Sequence, residues 1–217
     1  MLIIPAINCR TREAALEQIN LAASFVYQSG GWIHIDIDKA GDDFAPSVSW
    51  GSPGELAEIA HKYSHINFEV HLMFEHAEGV VKSWLESGAK RVIIHLEATK
   101  NAERIAKMCK QFGADAMLSI TPRTPVEWLK KYMGIFHHFQ FLAVSPGPSG
   151  QGLDPKTPER IKFLREYRRD AKIEVDGGIN PITAKQVKAA GADMAVSASY
   201  IFESNNPEAA YKELTNI

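Results

Sequence analysis

A chain of 217 residues, 45% of them hydrophobic, is long enough to bury a full core, and its composition excludes the disordered and fibrous classes. Its 24 basic and 26 acidic residues leave a formal charge of −2 and are spread along the chain, so there is no footprint for nucleic acid or an anionic membrane; a small molecule is the expected partner. No run approaches the roughly 18 apolar residues of a membrane span, Met1-Leu2-Ile3-Ile4-Pro5 lacks a basic signal segment, and Cys9 and Cys109 lie far apart, which gives a cytoplasmic expectation.

The elements alternate from the start. Leu2 to Asn8 predicts a strand, and Thr11 to Tyr27 a helix in which Ala15, Ile19, Ala22, Ala23 and Val26 form one buried face, with Thr11 as N-cap and Gly30 as the stop. Trp32 to Ile37 is the second strand, followed by a helix from Pro53 to Tyr63 behind the cap Ser52. Ile66 to Leu72, Arg91 to His95 and Ala116 to Ile120 are the next strands, with helices Glu78 to Ser87 and Lys100 to Phe112 between them, stopped by Gly88 and Gly113. Pro125 to Tyr132 predicts a helix on which Trp128 and Tyr132 pack. Phe139 to Val144, Lys172 to Val175 and Met194 to Ser197 complete the strands, and Thr157 to Tyr167, Pro181 to Ala190 and Pro207 to Leu214 the helices. The cap Asn180 precedes Pro181, and Gly191 ends that helix. Eight strand-then-helix units predict a (β/α)8 TIM barrel, a single domain over residues 1–217. The alternative, a doubly wound open sheet, lacks a G-x-G-x-x-G after its first strand.

In such a barrel the active site lies at the C-terminal ends of the strands. His34, Asp36, His71 and Asp176 all fall there, on the second, third and seventh strands. Ionisable groups in core-forming strands are costly unless paired, and two imidazoles with two carboxylates suit one divalent cation, whether zinc, iron, manganese or cobalt. The plain alternative is a hydrogen-bonded polar layer without metal; four ligand types on three strands at one end weigh against it. His95 and Glu97 end the fourth strand, where a structural hydrogen bond and a substrate contact are equally open.

Three glycine-bearing or polar loops follow strands six to eight: Ser145-Pro146-Gly147-Pro148-Ser149-Gly150-Gln151, Gly177-Gly178-Ile179-Asn180, and Ala198-Ser199. Exposed backbone N–H groups on adjacent loops suit a phosphate, so Gly147, Ser149, Gly150, Gly177, Gly178, Ala198 and Ser199 are candidate phosphate or substrate contacts, with Asn8 and Met73 beside them.

From Trp32 to Pro207 the chain resembles the ribulose-phosphate 3-epimerase family. The matching pieces are His34-Ile35-Asp36 with Phe44-Ala45-Pro46, Val70-His71-Leu72-Met73, Ile94-His95-Leu96-Glu97-Ala98, Val144-Ser145-Pro146-Gly147, Val175-Asp176-Gly177-Gly178-Ile179-Asn180 and Ser199-Tyr200-Ile201-Phe202. The resemblance implies that His34, Asp36, His71 and Asp176 bind one divalent metal. It also implies that Asp36 and Asp176 are the acid and base inverting C3 between D-ribulose 5-phosphate and D-xylulose 5-phosphate, in a homo-oligomer. The chain departs from the pattern near the site: Ala6 and Asn8 stand where a serine and a leucine are usual, a loop methionine is replaced within Ile37-Asp38-Lys39, and Pro148, Ser149, Ala198 and Tyr200 are also different. These changes predict a sugar phosphate that differs from ribulose 5-phosphate or, alternatively, a non-catalytic sugar-phosphate-binding barrel. The Asp-x-Lys-x-x-Asp decarboxylase pattern is out of register here, and Asn8 stands where the phosphoribosyl isomerases of histidine synthesis have a catalytic aspartate.

Overall fold

The structure is a computed structural model and describes residues 1–27, 31–39, 41–45 and 47–217. Gly30, expected as a helix stop, and Pro46, part of the quoted motif, lie outside the described residues. The strands β1 (Leu2–Ile7), β2 (Trp32–Asp38), β3 (Asn67–Met73), β4 (Arg91–His95), β5 (Asp115–Ile120), β6 (His138–Leu142), β7 (Lys172–Asp176) and β8 (Met194–Ser197) pair in chain order into a closed parallel barrel. Closure is made by β1 against β8, with Leu2 opposite Met194 and Pro5 opposite Ser197. The fold is therefore the expected (β/α)8 barrel.

The helices α1 (Arg12–Val26), α2 (Pro53–Lys62), α3 (Val81–Glu86), α4 (Ala102–Gln111), α5 (Thr157–Tyr167), α6 (Pro181–Ala190), α7 (Ser199–Phe202) and α8 (Pro207–Thr215) cover the outside. The starts of α1, α2, α4 and α6 follow from side-chain oxygens that accept the first orphan N–H groups: Thr11 from Ala14, Ser52 from Glu55, Asn101 from Arg104, and Asn180 in a reciprocal box with Thr183.

Two stretches differ from expectation. Val126–Tyr132 is a 3-10 helix that follows Pro125 without a side-chain cap. Trp128 does not pack there but is 58% exposed, whereas Tyr132 does lean on the core. The expected helix from Glu78 is split into a 3-10 turn, Ala77–Gly79, and α3, the break falling at Val80 just after Gly79, a poor helix former.

Strand parity sets what faces inward. Ile33, Ile35 and Ile37 on β2, Phe68, Val70 and Leu72 on β3, and Ile173 and Val175 on β7 join the main core under the helices. A smaller apolar cluster of Ile4, Ala6, Ile93, Met117, Met194 and Val196 fills part of the barrel interior. The alternate residues of β2, β3 and β7 are polar, and they build the site.

Candidate active site

Because side chains alternate along a strand, His34, Asp36 and Asp38 of β2 share the interior face, as do Glu69 and His71 of β3 and Glu174 and Asp176 of β7. Barrel closure brings these three sets together at the C-terminal mouth. His34 Nε2 lies 3.0 Å from Asp36 Oδ1 and 4.0 Å from Asp176 Oδ2. His71 Nδ1 lies 3.2 Å from Asp36 Oδ1 and 3.3 Å from Asp176 Oδ2. One donor atom from each of the four residues falls within 4.8 Å of the others, and all four residues are buried.

The surroundings orient these donors. His34 Nδ1 donates to Glu69 Oε1 at 2.7 Å, which leaves Nε2 as the nitrogen that faces the two aspartates. Glu69 is itself held by Arg91, whose Nη1 donates to Oε2 at 2.6 Å and lies 3.8 Å from Glu174 Oε2. Gln140 donates to Glu174, and Ser119 to Gln140, so the layer beneath the mouth is a continuous polar network. On the other side His71 Nε2 meets His95 Nε2 at 2.7 Å, and the two rings stack.

Electrostatics agree with a site that wants positive charge. Burial opposes ionisation of Asp36, but the His34 and His71 imidazoles outweigh it and hold the carboxyl well below the usual range. Burial alone would lower His34 and His71; the aspartates reverse this, raising His34 well above its ordinary value and His71 to about 9. His95 goes the other way, down to about 4, because burial dominates there, so it is neutral and accepts from His71. A divalent cation would replace the protons that the aspartates draw onto the two metal-facing imidazoles. The donor set, the spacing and the carboxylate behind His34 all fit such an ion.

Above this floor lies a cleft lined by Asn8, Asp36, Met73, Gly147, Ser149, Gly150, Asp176, Gly177, Gly178, Ala198 and Ser199, so the structure brings every expected contact residue to one cavity. His34 and His71 lie below it, fully buried. None of the described lining residues is Lys or Arg, so an anion there would rely on backbone N–H groups and serine hydroxyls. Gln151 pins the first loop by donating to the carbonyls of Ser145 and Pro148, both at 2.9 Å.

The segment after β2 is tied down over the mouth. Ser49 Oγ donates to the Asp36 carbonyl at 2.6 Å, Ser47 Oγ donates to Asp38 Oδ2 at 2.8 Å, and the Phe44 ring sits 4.5 Å from that of His95. Asp38 lies in the stretch where the resemblance expects a loop methionine; it is buried, which pushes its carboxyl up to about 6, and its Oδ1 has no hydrogen-bond partner among the described residues. Sequence reasoning missed Glu69, Glu174 and Asp38. The signal was present, since each stands two residues from a recognised ligand on the same strand face.

A family model described as the ribulose-phosphate 3 epimerase family matches residues 13–202. Among curated relatives, the ribulose-phosphate 3-epimerase of Chlamydia pneumoniae is 34% identical over 200 residues, covering 89% of this chain and 86% of that one. The protein of the same name from Methanocaldococcus jannaschii is 34% identical over 182 residues, covering 82% and 76%. Among solved structures, a 3-hexulose-6-phosphate synthase superposes with a TM-score of 0.75 at 17% identity, covering 100% of this chain and 99% of that one. The orotidine 5'-phosphate decarboxylase of Pyrococcus horikoshii OT3 gives 0.69 at 17% identity, covering 99% and 97%. These two show a shared fold and nothing more.

Proposed function

The chain belongs to the ribulose-phosphate 3-epimerase family, and from that premise we propose that it inverts C3 of a ketopentose phosphate, interconverting D-ribulose 5-phosphate and D-xylulose 5-phosphate or a close analogue. The observation that carries this reading is the position of Asp36 and Asp176: both border the cleft, on strands separated by β8 and β1, and both reach the same imidazole, His71 Nδ1.

Inverting a carbon beside a ketone requires a proton to leave one face and another to arrive on the opposite face. In the proposed reaction one carboxylate accepts the C3 proton, the other donates its own, and the two exchange roles in the reverse direction. His34, Asp36, His71 and Asp176 would hold a divalent cation, which supplies positive charge against the negative charge that builds on the substrate oxygens. Met73, Leu142 and Val144 give the cleft an apolar wall that limits water around the reacting carbon. Gly147, Ser149, Gly150, Gly177, Gly178 and Ser199 receive the phosphate, and Ala198 contributes backbone only. Homo-oligomerisation belongs to the same proposal and is read by sedimentation.

Metal-loaded protein incubated with ribulose 5-phosphate in deuterium oxide should place deuterium at C3. Asp176→Asn should slow this by at least roughly 10²-fold, the scale of a lost general acid or base. Absence of C3 label from the wild-type protein, with the sugar phosphate still bound, would instead indicate a binding barrel. Ala6, which lines the cleft without a hydroxyl, favours a second reading in which the preferred ketose phosphate has a different hydroxyl pattern. Ranking kcat/KM across ketopentose and ketohexose phosphates decides between them.

A further inference from the structure

The two oxygens of Asp36 have different neighbours. Oδ1 lies 3.0 Å from His34 Nε2 and 3.2 Å from His71 Nδ1, on the side where the candidate cation ligands gather. Oδ2 accepts a hydrogen bond from Asn8 Nδ2 at 2.9 Å. Asn8 follows the end of β1, in phase with the interior-facing Ile4 and Ala6, and it borders the cleft together with Asp36.

We infer that Asn8 is a positioning residue for Asp36, dividing the carboxylate's oxygens between two tasks: Oδ1 for the cation and Oδ2 for the substrate proton. This rests on the proposed epimerase reading, in which Asp36 carries that proton. A carboxylate gripped only at Oδ1 can swing about its χ2 torsion, because that torsion is soft and nearly two-fold. A donor on Oδ2 removes the freedom, and orientation of a catalytic group is worth large rate factors. An amide suits the task because it donates without titrating and carries no charge to compete with a cation. The leucine usual in the family at this place cannot make this bond. Since Ala6 stands where the family has serine, β1 presents its polar group at residue 8 instead of residue 6.

The test uses the metal-loaded protein, the variants Asn8→Leu and the isosteric Asn8→Asp, and protein carrying 15N-labelled asparagine. In the wild type, the Asn8 side-chain amide, assigned by its loss in Asn8→Leu, should be shifted downfield and exchange more slowly than exposed asparagine amides. Both variants should lose kcat by about 10-fold or more, with KM within about twofold and metal content unchanged. Asn8→Asp should be the worse, since it sets a second negative charge against Asp36. An Asn8 amide that behaves like an exposed one, an unchanged kcat, or a raised KM at constant kcat would each overturn the inference. Wild-type protein that shows the bonded amide but epimerises no ketose phosphate would uphold the contact and sink the reaction assigned to the site.

Discussion

At the scale of single residues, His34 shows how neighbours decide what a side chain can do. Its Nδ1 proton is committed to Glu69, so Nε2 is the nitrogen presented to the aspartates. Glu69→Gln removes the charge that fixes this arrangement and should weaken divalent-metal affinity by roughly 10–100-fold, measured by competition with a chelating dye. Glu78 makes a simpler case. Its carboxylate accepts from Thr99 Oγ1 at 2.6 Å and from the backbone of Lys100 and Asn101, just before α4. Partial burial opposes its ionisation, but these donors outweigh it and hold the carboxyl down to about 2, from an ordinary 4.5. A depressed folded value means stability that is present above about 4.5 and is lost as pH falls toward 2. Glu78→Ala should therefore cost roughly 1 kcal/mol near neutrality, the scale of a lost cap. Urea denaturation across pH should show the gap to wild type closing between those limits. The four ligand candidates were legible because ionisable residues interrupt apolar strands. Their outer partners were passed over because Glu69 and Glu174 look like ordinary exposed charges until strand parity is applied to them too.

At the scale of elements, the loop from β7 to α6 holds the tightest geometry at the end of the cleft proposed for the phosphate. Gly177 and Gly178 have φ of 97° and 69°, in the left-handed region, and a Cβ on Gly178 would come within 2.3 Å of the Leu153 backbone nitrogen. Gly178→Ala therefore meets both strain and a backbone clash. It should destabilise the fold by roughly 1–3 kcal/mol and weaken competitive inhibition by inorganic phosphate. Stability loss without any change in phosphate inhibition would detach this loop from the anion. The caps Thr11, Ser52 and Asn180 were readable in the sequence because their interactions are local. The 3-10 form of Val126–Tyr132 was not: its apolar residues Val126 and Leu129 are spaced as readily for a tight helix as for an α-helix, and Trp128 gave a misleading apolar signal while remaining exposed.

At the scale of the whole molecule, eight repeated units were enough to specify the barrel, because each strand buries one face against helices and the ring closes without an edge. What repetition did not specify is how the interior is filled. Part is apolar, and part is the network of Glu69, Arg91, Glu174, Gln140 and Ser119 that supports the mouth from below. Burial and the neighbouring Glu69 push Glu174 up to about 8, with Arg91 opposing them. Arg91→Met strands the fully buried Glu69 without its cation and should cost about 3–5 kcal/mol, read from chemical denaturation. A cost near zero would mean that the network is not a unit of stability.

The proposed mechanism depends on a cation and two carboxylates acting at one point, so metal content and turnover should move together. Measured side by side while a chelator strips the protein and zinc, manganese, iron or cobalt is added back, metal per chain and the rate of ribulose 5-phosphate epimerisation should fall together and recover together. A chain stripped of metal that still epimerises at the undiminished rate would contradict it.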